Sequence, residues 1–197
     1  MCEAVEGLFL SDPDVHALRA CAARAYDDGV DVVFLADGHL GDAIVLAAGL
    51  AVGVPELLFG IRQSLGPVPH RHPTILAREM TTLDLVTGGR VMLAFTGPFT
   101  KAVVTATSEA VTLCRDMWRK GIGVSEGPRY PAPGAVNRPL PQRPGGPPIA
   151  LDLTDGSVPH SALLGACDLV LVPVDASPPD DLPPGVDVCW IRGSSTG

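Results

Sequence analysis

Two histidines flank an arginine in His70-Arg71-His72, and a third, His39, stands in the stretch LADGHLGD. Imidazoles offer metal ligation or proton transfer near neutral pH. The metal reading is poor, because histidines two residues apart need a further nearby ligand and none is placed by spacing. The cysteines do not supply one. Cys2, Cys21, Cys114, Cys167 and Cys189 are dispersed, odd in number and without a CxxC, so they read as small buried hydrophobes in a reducing compartment. No metal is expected. His39 remains as a proton donor or acceptor, with Asp37 two residues earlier able to orient it or to cap the helix that follows.

Three further groups carry chemistry. Thr96-Gly97 offers a hydroxyl beside a backbone that a flat ligand can approach closely. Gly60 closes the apolar run LLFG and has the same property. Thr154 and the turn Asp155-Gly156-Ser157 supply hydroxyls beside the negative charge of Asp152 and Asp155. The plainer reading is an ordinary Asp-Gly turn with Ser157 capping a short helix.

These groups need elements to hold them. Short apolar runs at 7–11, 31–36, 57–60, 91–96, 149–153 and 169–173 lack strict alternation, and the early ones are each followed by a helical stretch. Buried strands alternating with helices predict a parallel sheet covered by helices, closed or open, with 186–192 as a candidate seventh strand. That the six strands are adjacent in chain order is expected from this spacing together with the family resemblance given below. Sites then belong in the loops at the carboxyl ends of the strands. Asp12 and Pro13 read as the start of the first helix. Pro73 opens a helix over 73–86 that Gly88 and Gly89 end, and Asp84 can pair with Arg90 across that turn, or Glu79 with Arg78 or a neighbouring helix. Residues 121–148 are proline-rich with no helix pattern, and are expected to be a long loop serving as a lid or strap.

The chain of 197 residues fits one domain, with the loop at 121–148 and a divergent tail at 175–197. A net charge of -8 with no basic run disfavours nucleic acid and acidic membranes. The apolar stretch 43–54 is short of a membrane span, and the N-terminus has no basic region before its apolar run, so a cytoplasmic protein is expected.

The segment RHPTILAREMTTLDLVTGGRVMLAFTG resembles the bacterial luciferase-like monooxygenase and F420-dependent oxidoreductase family. The resemblance rests on Arg71, His72 and Pro73, on Ala77, Arg78 and Glu79, on Thr82, Leu83 and Asp84, and on Gly88, Gly89 and Arg90. Thr87 replaces the usual serine. LCRDMWRKG at 113–121 and PLPQRPGGPPI at 139–149 are similar to later family segments in the same order.

The resemblance implies a (β/α)n parallel barrel of the TIM type, shortened relative to the eight-unit family fold. A shortened barrel must close with fewer strands or have its edge covered by another chain. It further implies reduced FMN or coenzyme F420 as cofactor and a small organic substrate. His39 stands where the family places a histidine facing the cofactor ring, and Asp37, Gly60, Thr96, Gly97, Thr154, Gly156 and Ser157 align with cofactor-side positions. Pro98 and Phe99 depart from the family's glycine-rich strand end. Three readings stay open: an oxidoreductase, a flavin-binding homologue without turnover, and a degenerate barrel acting as a partner subunit. A homodimer through the alanine-rich helix at 43–53 is expected.

Overall fold

The computed structural model describes residues 5–10, 14–37, 41–65, 71–157 and 161–192. Strand β1 (Val5–Phe9), helix α1 (Val15–Asp27), β2 (Val32–Ala36), α2 (Ala43–Ala51), β3 (Leu58–Ser64), α3 (Pro73–Thr87), β4 (Val91–Thr96) and α4 (Lys101–Lys120) form four regular units. A hairpin follows, β5 (Ile122–Ser125) and β6 (Ala132–Val136). Then come β7 (Ile149–Asp152), the short α5 (Ser161–Leu164), β8 (Leu169–Pro173) and β9 (Asp187–Arg192).

Helix boundaries follow side-chain chemistry. Asp14 accepts the His16 amide, Asp42 accepts those of Ile44 and Val45, and Thr100 accepts that of Val103, each satisfying orphan donors of a first turn. His72 does the same for Thr74, with Pro73 beside it where no N–H is needed. Gly88 and Gly121, at φ 70° and 74°, end α3 and α4 in the left-handed conformation. Asp12 and Pro13, the expected start of α1, lie outside the described residues.

The seven strands β1-β2-β3-β4-β7-β8-β9 are parallel neighbours in that order, and β9 pairs with both β8 and β1. The shortened barrel therefore closes on itself with seven strands. Since alternate residues of a strand face opposite sides, each strand gives one set to the interior and one to the helices. The interior holds Val32, Phe34, Met92, Ala94, Leu171 and Ile191 among others. A larger core lies between strands and helices and includes Phe59, Leu76, Met80, Phe95 and Trp118.

The proline-rich 121–148 segment differs from expectation by containing the antiparallel pair β5 and β6, with Ile122 opposite Val136. Two short strands tolerate Pro133, because a two-stranded ribbon leaves half of its amides unpaired. Glu109 of α4 anchors the hairpin loop by accepting the Arg129 and Tyr130 amides.

The ion pairs expected in the 70–90 segment are also different. Asp84 is fully buried and accepts the amides of Gln142 and Arg143, so it holds the strap that leads into β7. Arg90 donates instead to the Leu57 and Val54 carbonyls at the foot of β3. Glu79 faces Arg71. His72 caps α3 and lies edge-on to Tyr130, ring centroids 5.5 Å apart. His70 is outside the described residues. Among the described residues no three His, Cys, Asp or Glu side chains are grouped to hold a metal ion.

Candidate active site

The carboxyl ends of β2, β3, β4 and β7 bring a polar layer to one mouth of the barrel. Ser64, Thr96 and Asp152 occupy one register level, with Ser64 paired to Thr96 and Thr96 to Asp152. One level lower on β3 is Arg62. Its Nε and Nη2 donate to the same Asp152 oxygen at 2.8 and 2.5 Å, and its guanidinium lies 4.0 Å from the centroid of the Phe9 ring. Asp152 is 2% exposed, and its other oxygen accepts the Thr154 amide and hydroxyl. Every lone pair direction of that carboxylate is thus met. A cleft of about 160 Å³ remains beside the pair, lined by Ala36, Asp37, Arg62, Gln63, Ser64 and Thr96.

Asp37 is fixed on the helix side of the same strand ends. One oxygen accepts the Ala43 amide; the other accepts Gln63 Nε2 and Arg71 Nη1. Burial pushes this carboxyl up, but the Ala43, Gln63 and Arg71 hydrogen bonds outweigh it and hold Asp37 below the usual range. Arg71 also contacts Asp42 and Glu79, so a single guanidinium serves three carboxylates. Glu79 is raised by burial, Arg71 opposing it and Asp42 and Asp37 adding to it. Arg71 therefore ties α3 to both sides of the β2–α2 connection. That connection contains His39, which lies outside the described residues together with Gly38 and Leu40.

The remaining sequence candidates separate. Thr96 stands in the cleft. Gly60 sits two levels below Ser64, and a Cβ there would come within 2.1 Å of the Phe34 ring, so its missing side chain is space taken by Phe34. A Cβ on Gly97 would lie 2.6 Å from Ser157 Oγ and 2.7 Å from Asp155 Oδ2, so the strand-end glycine admits the 154–157 turn. In that turn Asp155 accepts the amide and hydroxyl of Ser157. Thr154, Gly156 and Ser157 line a second cleft of about 230 Å³ against Val172, Pro173 and Ala176. Sequence reasoning missed Arg62. β3 runs on to Ser64, past the expected end at Gly60, and the signal for Arg62 was a cation two residues beyond that glycine on the same face, which when buried needs an anion as partner.

A family model described as luciferase-like monooxygenase matches residues 4–152, about three quarters of the chain. The chain belongs to that family. It is 30% identical over 159 residues to an F420-dependent glucose-6-phosphate dehydrogenase of Kribbella flavida, covering 66% of this chain and 47% of that protein. Its fold is similar to that of the coenzyme F420 dependent tetrahydromethanopterin reductase from Methanopyrus kandleri, with a TM-score of 0.71 at 18% identity over 87% of this chain and 56% of the other. It is also similar to the FMN complex of the oxygenating constituent of 3,6-diketocamphane monooxygenase from Pseudomonas putida. There the TM-score is 0.62 at 14% identity, over 88% of this chain and 59% of the other. This chain spans about half the length of these relatives.

Proposed function

We propose that this chain is a flavin- or F420-dependent oxidoreductase acting on a small organic substrate at the carboxyl-end mouth of the barrel. The reading is carried by the Thr96 and Ser64 hydroxyls and the Arg62 N–H groups not bonded to Asp152, which line one cleft in a barrel of this family, while the Gln63 amide is spent on Asp37 and the Arg62 carbonyl. Flavin and deazaflavin rings have a polar edge of carbonyls and ring nitrogens, and that donor set fits such an edge. A cleft of about 160 Å³ suits the edge of a ring and not its whole area. Near the 154–157 turn, Thr154, Gly156 and Ser157 would offer hydroxyl and amide contacts. Among the described residues no cation lines that cleft, and Arg62 is committed to Asp152. A phosphate is therefore poorly served there.

When bound, the cofactor would supply a hydride or activate O2. The protein's part is to orient and to move a proton. Thr96 would hold the ring edge, while Asp37, fixed through Arg71, would set the position of the β2–α2 connection. His39 would donate or accept the proton as substrate is reduced or oxidised. Gly60 and Gly97 contribute indirectly, by admitting Phe34 and the 154–157 turn close to the strands.

Titration of the protein with FMN and with F420, followed by ring fluorescence, tests this. One lost hydrogen bond in Thr96→Val should weaken binding about two- to tenfold. His39→Ala should leave binding nearly intact and lower turnover about a hundredfold or more. Failure of the unaltered protein to bind either cofactor overturns the reading.

One observation favours the non-catalytic partner-subunit reading instead. The Arg62–Asp152 pair over Phe9 lies across the top of the barrel interior, and the clefts that the described residues line beside it are small. That reading expects no cofactor binding and a stable complex with another chain. On either reading self-association through α2 is expected, because Val45 and Val52 are 69% and 84% exposed there among small residues. Sedimentation of a monomer at micromolar concentration would count against it. Among the described residues no helix is long and apolar enough to cross a membrane. The buried free thiols Cys114, Cys167 and Cys189 fit a reducing, cytoplasmic setting.

A further inference from the structure

The opposite end of the barrel holds a cavity of about 800 Å³, several times the size of the clefts at the carboxyl mouth and within the range of small-molecule sites. Its floor is the lowest layer of the barrel interior: Val5, Leu58, Met92 and Leu169, all packed in the interior cluster. One wall is cationic. Arg115 and Arg119 lie one turn apart on the same face of α4, and Arg143 comes from the strap between β6 and β7.

The three arginines are not equally committed. Arg115 pairs with Asp168, whose carboxylate also accepts the Ile149 amide. Arg143 gives one N–H to the Gly89 carbonyl at 3.2 Å, leaving its other donors. Arg119 is exposed and, among the described residues, has no carboxylate partner. Its Nε lies 3.8 Å from where a Cβ on Gly145 would stand, which puts it beside the Arg143 turn.

That turn is rigidly built. Buried Asp84 accepts the Gln142 and Arg143 amides. Gly145 and Gly146 have φ of 89° and 90°, and a Cβ on Gly146 would fall 2.4 Å from the Trp118 ring. The chain thus presses against Trp118 with no side chain filling the cavity beside it. The lining also includes Asp31 and Asp187. Asp31 is occupied by the Glu6 amide at 2.8 Å.

We propose that this amino-end cavity is a second ligand site, for an organic anion with an apolar body. The body would rest on Val5, Leu58, Met92 and Leu169, and a carboxylate or similar head would take hydrogen bonds from Arg119 and Arg143. The lining carries three arginines and three aspartates, with Asp168 held by Arg115 and Asp31 by the Glu6 amide, so it is the remaining N–H groups of Arg119 and Arg143 that would take the head. The site lies at the other end of the strands from the Thr96 cleft, so its occupation does not depend on the proposed redox reading.

Calorimetric titration of the full chain with decanoate, decanol and decylammonium tests it. Decanoate should bind saturably to one site, about tenfold or more tighter than decanol, because a charge-assisted hydrogen bond is added to the same apolar contact. The double variant R119Q/R143Q should lower decanoate affinity to that of decanol. Both side chains are exposed, so its urea midpoint should match the parent's. In a Trp190→Phe background, a brominated decanoate should quench Trp118 fluorescence. Four results each overturn the proposal: no saturable decanoate binding at millimolar concentration, decanol binding as tightly, decylammonium binding more tightly, or unchanged decanoate affinity in the double variant.

Discussion

Arg62 and Asp152, ninety residues apart in the chain, meet across the top of the barrel interior through two N–H groups sharing one carboxylate oxygen. Strand β4 lies between their strands, so the bond reaches over one neighbouring strand on the inward face and does not follow the sheet. The two side chains share the inward face, where burying a charge without its partner is costly. Removing either partner should cost about 3 kcal/mol, the low end for a buried pair since Arg62 keeps 27% of its side chain exposed. Urea unfolding of Arg62→Met and Asp152→Leu checks this, and the apolar double variant R62M/D152L should recover much of the loss. Additive losses in the double variant would show that the two groups are not coupled.

The interior packing of Gly60 and Phe34 gives a second expectation. Gly60→Ala places a methyl carbon within the ring of Phe34 and should destabilise the barrel by about 1–3 kcal/mol. Phe34→Leu in the same chain should restore part of that, as the smaller side chain retreats. Chemical denaturation of the two single variants and the double variant supplies the comparison. A neutral Gly60→Ala would place Phe34 elsewhere.

The Arg71 cluster should show in the pH dependence of stability. Asp37 has a lowered folded pKa, so its contribution is fully present above the ordinary carboxylate range and is lost as pH falls through the lowered folded value. Glu79, raised by burial, acts in the opposite direction and favours folding as pH falls toward its own pKa. In Asp37→Asn the acid limb of the urea midpoint should therefore be shallower than in the parent. Arg71→Met should cost about 1–2 kcal/mol near neutrality, discounted because its partners are partly exposed, and less in acid where they are protonated. An acid limb identical in Asp37→Asn and the parent would remove Asp37 from the account.

Thiol chemistry offers a simpler readout. Burial pushes Cys114, Cys167 and Cys189 up to about 12, while Cys21 on α1 is half-buried. In a Cys2→Ser background, a disulfide reagent at mildly alkaline pH should modify Cys21 quickly and the other three only on unfolding. Rapid reaction of more than one thiol in the native protein would contradict their burial.

The sequence by itself determined the parallel direction of the strands, because the early apolar runs, each followed by a helical stretch, admit little but a parallel, helix-covered sheet, and the order of the family-like motifs supplied the strand order. It determined the ends of α3, through Pro73 and Gly88, and it carried the family resemblance confirmed over residues 4–152. It also pointed to Thr96 at a strand end, where the cleft opens. Tertiary structure alone decided the partners of charges distant in sequence. Nothing local relates Arg62 to Asp152 or Asp84 to the Gln142 amide, since those pairs exist only once seven strands have closed and the strap has folded back. Reading Asp84 against Arg90 failed for that reason: proximity in the chain favoured a pairing that burial and backbone amides overrode. The amino-end cavity is likewise absent from any motif, because its floor takes one residue from each of several strands and its arginines from a helix and a strap. Only closure of the barrel assembles them around one space.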